Sequence, residues 1–261
     1  GKTAYNIAGG LRFRGALDKR AIERSLREIL SRHEILRTSI VNVDGSPRAI
    51  IRSTPDWKLE LHSLLETPEE LREEELLNLA AAQAGRRFHL ESAPLIRACL
   101  VEVAPLDHAL LVTMHHIAAD GWSLSLLGQE LAELYQAFAA GKPSPLGELP
   151  IQYSDYACWH KQSLESGVLQ SEIPYWKKKL AGPLPVMDLP GDHPRALGAP
   201  SRGARSRQTL STELLEAMRR FSLAENATPF ATLLAAFKLL LFRYTRQADV
   251  VVGSATAGRN R

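Results

Sequence analysis

Apolar residues recur along the chain at helical and strand spacings in turn, a pattern that predicts an α/β fold. Ala21, Ile22, Leu26, Ile29 and Leu30 share one face of a helix that Asp18 is suited to cap and that runs to about His33. Ile35 to Val43, Arg48 to Ser53 and Trp57 to Ser63 alternate around the turn cluster Asp44-Gly45-Ser46-Pro47 and read as three strands. Thr67-Pro68-Glu69-Glu70 predicts a capping box with proline at the first helical position, opening a helix to about Arg86. Leu95 to Ala104 and His108 to His116 read as neighbouring strands. The second is almost continuously apolar, as a central strand is. Asp120 then caps a helix with a stripe of Leu124, Leu127, Leu131, Leu134, Tyr135 and Phe138, ending near Gly141.

Beyond a proline-rich connection, Gly141 to Pro150, helices are expected around Tyr153 to Leu164 and Ile173 to Leu180. Gly182 to Arg207 holds five prolines and four glycines without periodicity, the composition of a linker. A strand near Gln208, a helix from Ser211, another opened by Thr228-Pro229 and a strand over Val250 to Gly253 follow. The expected organisation is a lobe over residues 1–181, a linker over 182–207, and the start of a second α/β lobe over 208–261.

With 261 residues, 45% of them hydrophobic, the chain can bury a sizeable core. Its 32 basic residues are dispersed against 29 acidic ones, which predicts no nucleic-acid partner. The runs Ala109 to Met114 and Phe230 to Phe242 are too short, or too interrupted by Lys238, to span a bilayer. Cys99 and Cys158 lie 59 positions apart without CxxC spacing, which favours free thiols in a reducing compartment, by default the cytoplasm. A start at Gly1 and a stop soon after Val250-Val251-Val252 suggest a piece of a larger polypeptide, cut at both ends.

Met114-His115-His116-Ile117-Ala118-Ala119-Asp120-Gly121-Trp122-Ser123 joins a buried strand to a capped helix. Strand alternation sends His115 and His116 to opposite faces, so they do not form a chelate. His116, nearer the loop, is the candidate proton acceptor, since a neutral imidazole is available near pH 7. His115 reads as structural. Asp120 is placed to cap the helix and to pair with an arginine, Gly121 to admit a close neighbour, and the helix N-terminus to offer N–H groups to a polarised carbonyl.

His-His-x-x-x-Asp-Gly followed by Trp122-Ser123 resembles the signature of the condensation domains of nonribosomal peptide synthetases. Four more segments resemble the family in order: Arg32-His33-Glu34-Ile35-Leu36-Arg37-Thr38, Tyr153 to Trp159, the stretch from Tyr175-Trp176 to Asp192-His193-Pro194-Arg195, and Val252 to Arg261, where Ala255 replaces the usual proline. The family's first motif, which precedes Tyr5-Asn6-Ile7, is absent.

The resemblance implies a chloramphenicol acetyltransferase-like lobe, a mixed sheet packed by helices, followed by the beginning of a similar lobe, with His116 midway along a tunnel between them. It implies amide formation between an upstream acyl or peptidyl thioester and the amine of a downstream aminoacyl thioester. Both would ride on phosphopantetheine arms of carrier domains, with an adenylation domain as neighbour and no cofactor or metal held by the chain itself. His116 would orient or deprotonate the amine. Asp120 would form a structural salt bridge with an arginine of the Arg-His-Glu segment, Arg37 in preference to Arg32. The intact Asp-Gly-Trp-Ser points to a peptide-bond former, leaning to an L-configured donor.

Three rival readings follow from the same residues. One is an ester-forming acyltransferase of the same superfamily, and another a non-catalytic carrier-docking fragment. The third is a metal hydrolase using His115, His116 and Asp120, for which no further nearby His or Cys cluster completes a site. Cys158, His33 and Glu34 read as packing or helix-end residues.

Overall fold

The computed structural model describes residues 3–53, 57–167, 169–191 and 206–255. The chain divides into two compact units, 1–168 and 169–261. The first contains a mixed sheet of four strands in the order β1 (Asn6–Arg14), β6 (Asp107–His115), β5 (Ile96–Ala104), β4 (Glu60–Ser63). β6 runs antiparallel to both neighbours, and β4 lies parallel to β5. β2 (Thr38–Val43) and β3 (Ser46–Ile51) form a separate hairpin. Asp44 and Gly45, with φ of 50° and 80°, make its two-residue turn, the left-handed pair that such tight hairpins require.

One face of the sheet is covered by α1 (Lys19–Arg32) and α3 (Gly121–Ala139). Ile22, Leu26, Ile29 and Leu30 of α1 and Leu131, Leu134 and Phe138 of α3 pack there on Ile96, Ala98, Leu100, Leu110, Val112 and Met114. The other face meets α2 (Arg72–Gly85), where Leu76 lies with Cys99, Val101, Val103, Ala109 and Leu111. The odd and even positions of β6 thus serve two cores, which is why this strand reads as continuously apolar.

The remaining helices are α4 (Tyr153–Glu165) in the first unit and α5 (Glu172–Lys179), α6 (Thr212–Ala224) and α7 (Pro229–Thr245) in the second. Ser211 and Thr228 cap α6 and α7 through their hydroxyls, and Pro229 opens α7, as expected from the sequence.

Several expectations are revised. β1 is an addition: it is an edge strand with little burial, its side-chain pattern is broken by Gly9-Gly10 although its ladder is not, and its period-two signal is confined to Leu11-Arg12-Phe13-Arg14. The capping box at Thr67 does not form. Pro68 precedes a short 3-10 turn, Glu69–Leu71, without a side-chain cap bond, and the Thr67 N–H instead donates to the Leu64 carbonyl. The strand expected from Trp57 is shortened to Glu60–Ser63, since Trp57 and Leu59 are drawn into the α1 core. Residues near Gln208 and over Val250 to Gly253 are not strands among the described residues, because a strand is defined by ladder bonds and these have none. Asp192 to Arg195 and Thr256 to Arg261 lie outside the described residues.

Candidate functional site at the junction of β6 and α3

β6 ends at His115, and α3 begins six residues later at Gly121. Its last residue is held from every side. The His115 N–H donates to the Leu95 carbonyl at 3.1 Å, and the His115 carbonyl accepts from the Ala118 N–H at 2.9 Å. The ring lies 6.0 Å from that of Tyr5 and meets Phe88 edge-on at 6.1 Å. Its Nδ1 accepts the Ile117 N–H at 3.1 Å, so this nitrogen carries no proton and the tight turn after the strand is closed on the imidazole itself. Partial burial pushes the His115 pKa below its ordinary value, and the charge of His116 adds to the effect.

His116 differs. Its backbone N–H is fixed on the Tyr5 carbonyl at 2.8 Å, but the residue is exposed, and its ring makes no hydrogen bond among the described residues. Strand parity groups His115 with Ala109 and Leu111 on the α2 face, and His116 with Leu110, Val112 and Met114 on the opposite face. The two imidazoles therefore divide into a braced one and an available one, as the alternation predicts.

Asp120 is the N-cap of α3. Its Oδ1 accepts the Ser123 N–H at 2.8 Å and the Ser123 hydroxyl at 2.7 Å, while the Asp120 N–H donates to Ser123 Oγ at 3.2 Å. This reciprocal cap fixes the angle at which α3 leaves the turn. Among the described residues a Cβ built on Gly121 meets no atom within 4 Å, so packing among them does not demand glycine there. Trp122, Ile117 and Leu126 are exposed beside the turn and give it an apolar rim. Among the described residues no group of three or more His, Cys, Asp or Glu side chains is placed to hold a metal ion.

The two arginines stand elsewhere. Arg32 Nε donates to Glu130 Oε1 at 3.1 Å, and Arg32 Nη1 donates to the Gly147 carbonyl. Arg37 donates to the Arg52 carbonyl at 2.6 Å and lies 3.5 Å from the Glu34 carboxylate. Among the described residues no ion pair joins either of them to Asp120, so the expected Arg37–Asp120 bridge is corrected. Arg37 ends a short 3-10 turn, Glu34–Arg37, between α1 and the hairpin, where the Ser31 and Arg52 carbonyls and the Glu34 carboxylate already engage its guanidinium.

The Arg-His-Glu segment is instead a brace between helices. His33 Nε2 lies 2.7 Å from Glu130 Oε2, so this one buried carboxylate of α3 receives both Arg32 and His33 from α1. Gln152 at the start of α4 donates to the Arg32 carbonyl at 2.9 Å and accepts the Glu34 N–H at 3.2 Å. Glu130 is absent from the residues singled out by sequence. Its signal there is a charged residue three positions after Leu127, within the apolar stripe of α3.

The family described as Condensation domain matches residues 1–261. One of the linear gramicidin synthase proteins of Brevibacillus parabrevis is 44% identical over 257 residues, covering 98% of this chain and 3% of that protein. Phosphinothricin tripeptide synthetase PhsC of Streptomyces viridochromogenes is 36% identical over 261 residues, covering all of this chain and 24% of that one. Among solved structures, the SgcC5 protein of Streptomyces globisporus superposes with a TM-score of 0.82 at 31% identity, over 100% of this chain and 58% of its own. The X-domain from teicoplanin biosynthesis follows with a TM-score of 0.80 at 29% identity, over 93% and 53%. The chain thus spans a small part of its curated relatives and little more than half of its structural neighbours. Sequence, relatives and fold agree, and the chain belongs to the condensation-domain family.

Proposed function

We propose that this chain supplies the donor-side lobe and the opening of the second lobe of a condensation domain that forms an amide between two carrier-bound thioesters. The boundaries that fit this reading are 1–181 for the first lobe, 182–207 for the linker and 208–261 for the second. The observation that carries the reading is the division of labour in the histidine pair. His115 is locked by Tyr5, Phe88 and the Ile117 N–H, while His116, which among the described residues is fixed only through its backbone, stands exposed at the end of a buried strand.

In the reaction the amine nitrogen of the downstream aminoacyl group attacks the upstream thioester carbonyl. A C–N bond forms, the C–S bond breaks, and the upstream phosphopantetheine thiolate leaves, taking up the proton that the nitrogen releases. His116 holds the amine N–H through a ring nitrogen and relays that proton. Because the attacking amine is already neutral, orientation supplies much of the rate. Asp120 acts through architecture, by capping α3. The Gly121 and Trp122 amides of its first turn are candidates to polarise the carbonyl, and the open space at Gly121 suits a close approach. Upstream and downstream carrier domains and a neighbouring adenylation domain are the partners of this reading, an L-configured residue is the donor, and the cytoplasm is its compartment.

The test is a single-turnover assay in the parent synthetase with both carriers loaded, following the mass of the acceptor arm. Wild type transfers, and His116→Ala loses transfer by a factor of about 100 or more while both carriers stay loaded. Full transfer by His116→Ala removes the assignment. Transfer to a hydroxyl but not to an amine acceptor supports the ester-forming alternative, and no transfer from a folded wild type supports carrier docking alone.

A further inference from the structure

We infer that Arg97 is a positioning residue for His116, acting through Phe88 and His115; the inference deepens the proposed reaction and rests on it. Arg97 lies on β5 opposite Thr113 of β6, so His115, two residues further along, is its diagonal neighbour on the same face of the sheet. Its guanidinium donates to the Arg86 carbonyl at 2.6 Å and the Arg87 carbonyl at 3.1 Å, and its Cζ stands 3.7 Å from the centre of the Phe88 ring. The segment leaving the C-terminus of α2 is thereby strapped to the sheet. Asn6, opposite His115 on β1, fastens the same strap from the other side, its Nδ2 donating to the carbonyls of Ala84 at 2.7 Å and Arg86 at 2.8 Å. Phe88, held by that strap, meets the His115 ring nearly at right angles, with the ring centres 6.1 Å apart.

Packing alone does not account for an arginine here. Among the described residues Arg97 has no carboxylate in ion-pair contact, its Nε is buried without a hydrogen-bond partner, and burial lowers its pKa. Partial burial of a cation carries a desolvation cost that a leucine or methionine would not. What only the guanidinium provides is a planar fork for two carbonyls together with a face for Phe88. That geometry sets where the Phe88 ring lies, hence the tilt of the His115 ring that meets it at 80°. His115 Nδ1 in turn closes the turn that carries His116.

The experiment uses the full synthetase chain and the single-turnover assay above, with acceptor-carrier concentration varied and thermal melting recorded for each variant. Arg97→Lys keeps the charge and loses the fork. It is expected to slow transfer about tenfold while the half-saturating acceptor concentration stays within about twofold. Phe88→Leu is expected to do the same, and the double variant to be no slower than either single one, because both act along one path. Wild-type rate in Arg97→Lys, or a double variant slowed by the product of the two effects, overturns the inference. If Arg97→Lys melts early, the contrast moves to Phe88. Phe88→Tyr, which keeps the ring, should transfer at the wild-type rate and Phe88→Leu should not, and equal rates in these two overturn it. His116→Ala, run alongside, separates the failures. Full transfer by His116→Ala sinks the reaction reading and Arg97's role with it, whereas loss there with full transfer by Arg97→Lys sinks Arg97 alone.

Discussion

The two faces of the four-stranded sheet are built differently. The face under α1 and α3 is apolar from Leu100 and Leu110 to Met114, and its polar pair, Glu102 and His108, stands at the end away from the histidine pair. The face under α2 is apolar only in its middle, at Cys99, Val101, Ala109 and Leu111, and toward the end of β6 it passes into Asn6, Arg97 and His115. Toward the histidine pair, one face is given to burial and the other to orientation. A strand between them can hold a reactive group at a fixed height while polar bonds on one side set its direction.

The two faces differ most measurably at neighbouring residues of β6. Leu110, fully buried on the two-helix face, and Leu111, at 9% exposure on the α2 face, differ in face but not in type. Leu110→Ala is expected to cost about 4 kcal/mol and Leu111→Ala about 2 kcal/mol in denaturant unfolding. Equal costs would remove the distinction between the faces.

A smaller effect comes from pH. Folding holds His115 neutral by lowering its pKa, so below the ordinary value of 6.5 the unfolded chain binds more protons than the folded one. The His115 contribution is therefore complete above about pH 6.5 and is lost as pH falls below that value, levelling off beneath the folded pKa. Stability of wild type minus that of His115→Phe should decline between pH 7 and pH 5. A flat difference would show that the α2 face does not hold this imidazole neutral.

The smallest effect is chemical. Cys99 is buried under α2, and burial first, then the nearby Glu60 charge, pushes its thiol up to about 11, whereas Cys158 on α4 is exposed. A thiol reagent at pH 8 should label Cys158 and leave Cys99 unmodified in the native chain. Labelling of Cys99 at a comparable rate would show that the α2 face opens.

What is legible in the sequence follows the same division. Burial writes itself as periodicity, so α1, α3, β5 and β6 are readable from Ile22, Leu26, Leu131, Leu134 and their partners, and the local caps at Asp18, Asp120, Ser211 and Thr228 are readable from side-chain chemistry. The histidine pair is legible because strand alternation alone separates its members. Orientation is written in contacts between distant positions. Arg32 with Glu130 and Asn6 with Arg86 are 98 and 80 residues apart, and neither pairing leaves a periodic trace. The pairing of Arg37 with Asp120 fails for that reason, and β1 escapes notice because an exposed edge strand has little hydrophobic pattern to display.

Three backbone bonds govern how this chain tolerates insertion. Ile40 donates to the Leu90 carbonyl at 2.7 Å, Leu95 to the Leu36 carbonyl at 2.8 Å, and His115 to the Leu95 carbonyl at 3.1 Å. They act as a gauge, setting the distance between the Arg-His-Glu segment and the histidine pair by the count of residues from Leu90 to Leu95. An added residue there must be absorbed between the rung on Leu90 and the two rungs on Leu95, while one added at Asp44-Gly45, on the exposed tip of the hairpin, disturbs none of them. Recombination between relatives should accordingly find its crossover points and length variants at that tip, and should find the stretch from Leu90 to Leu95 fixed in length even where its side chains change.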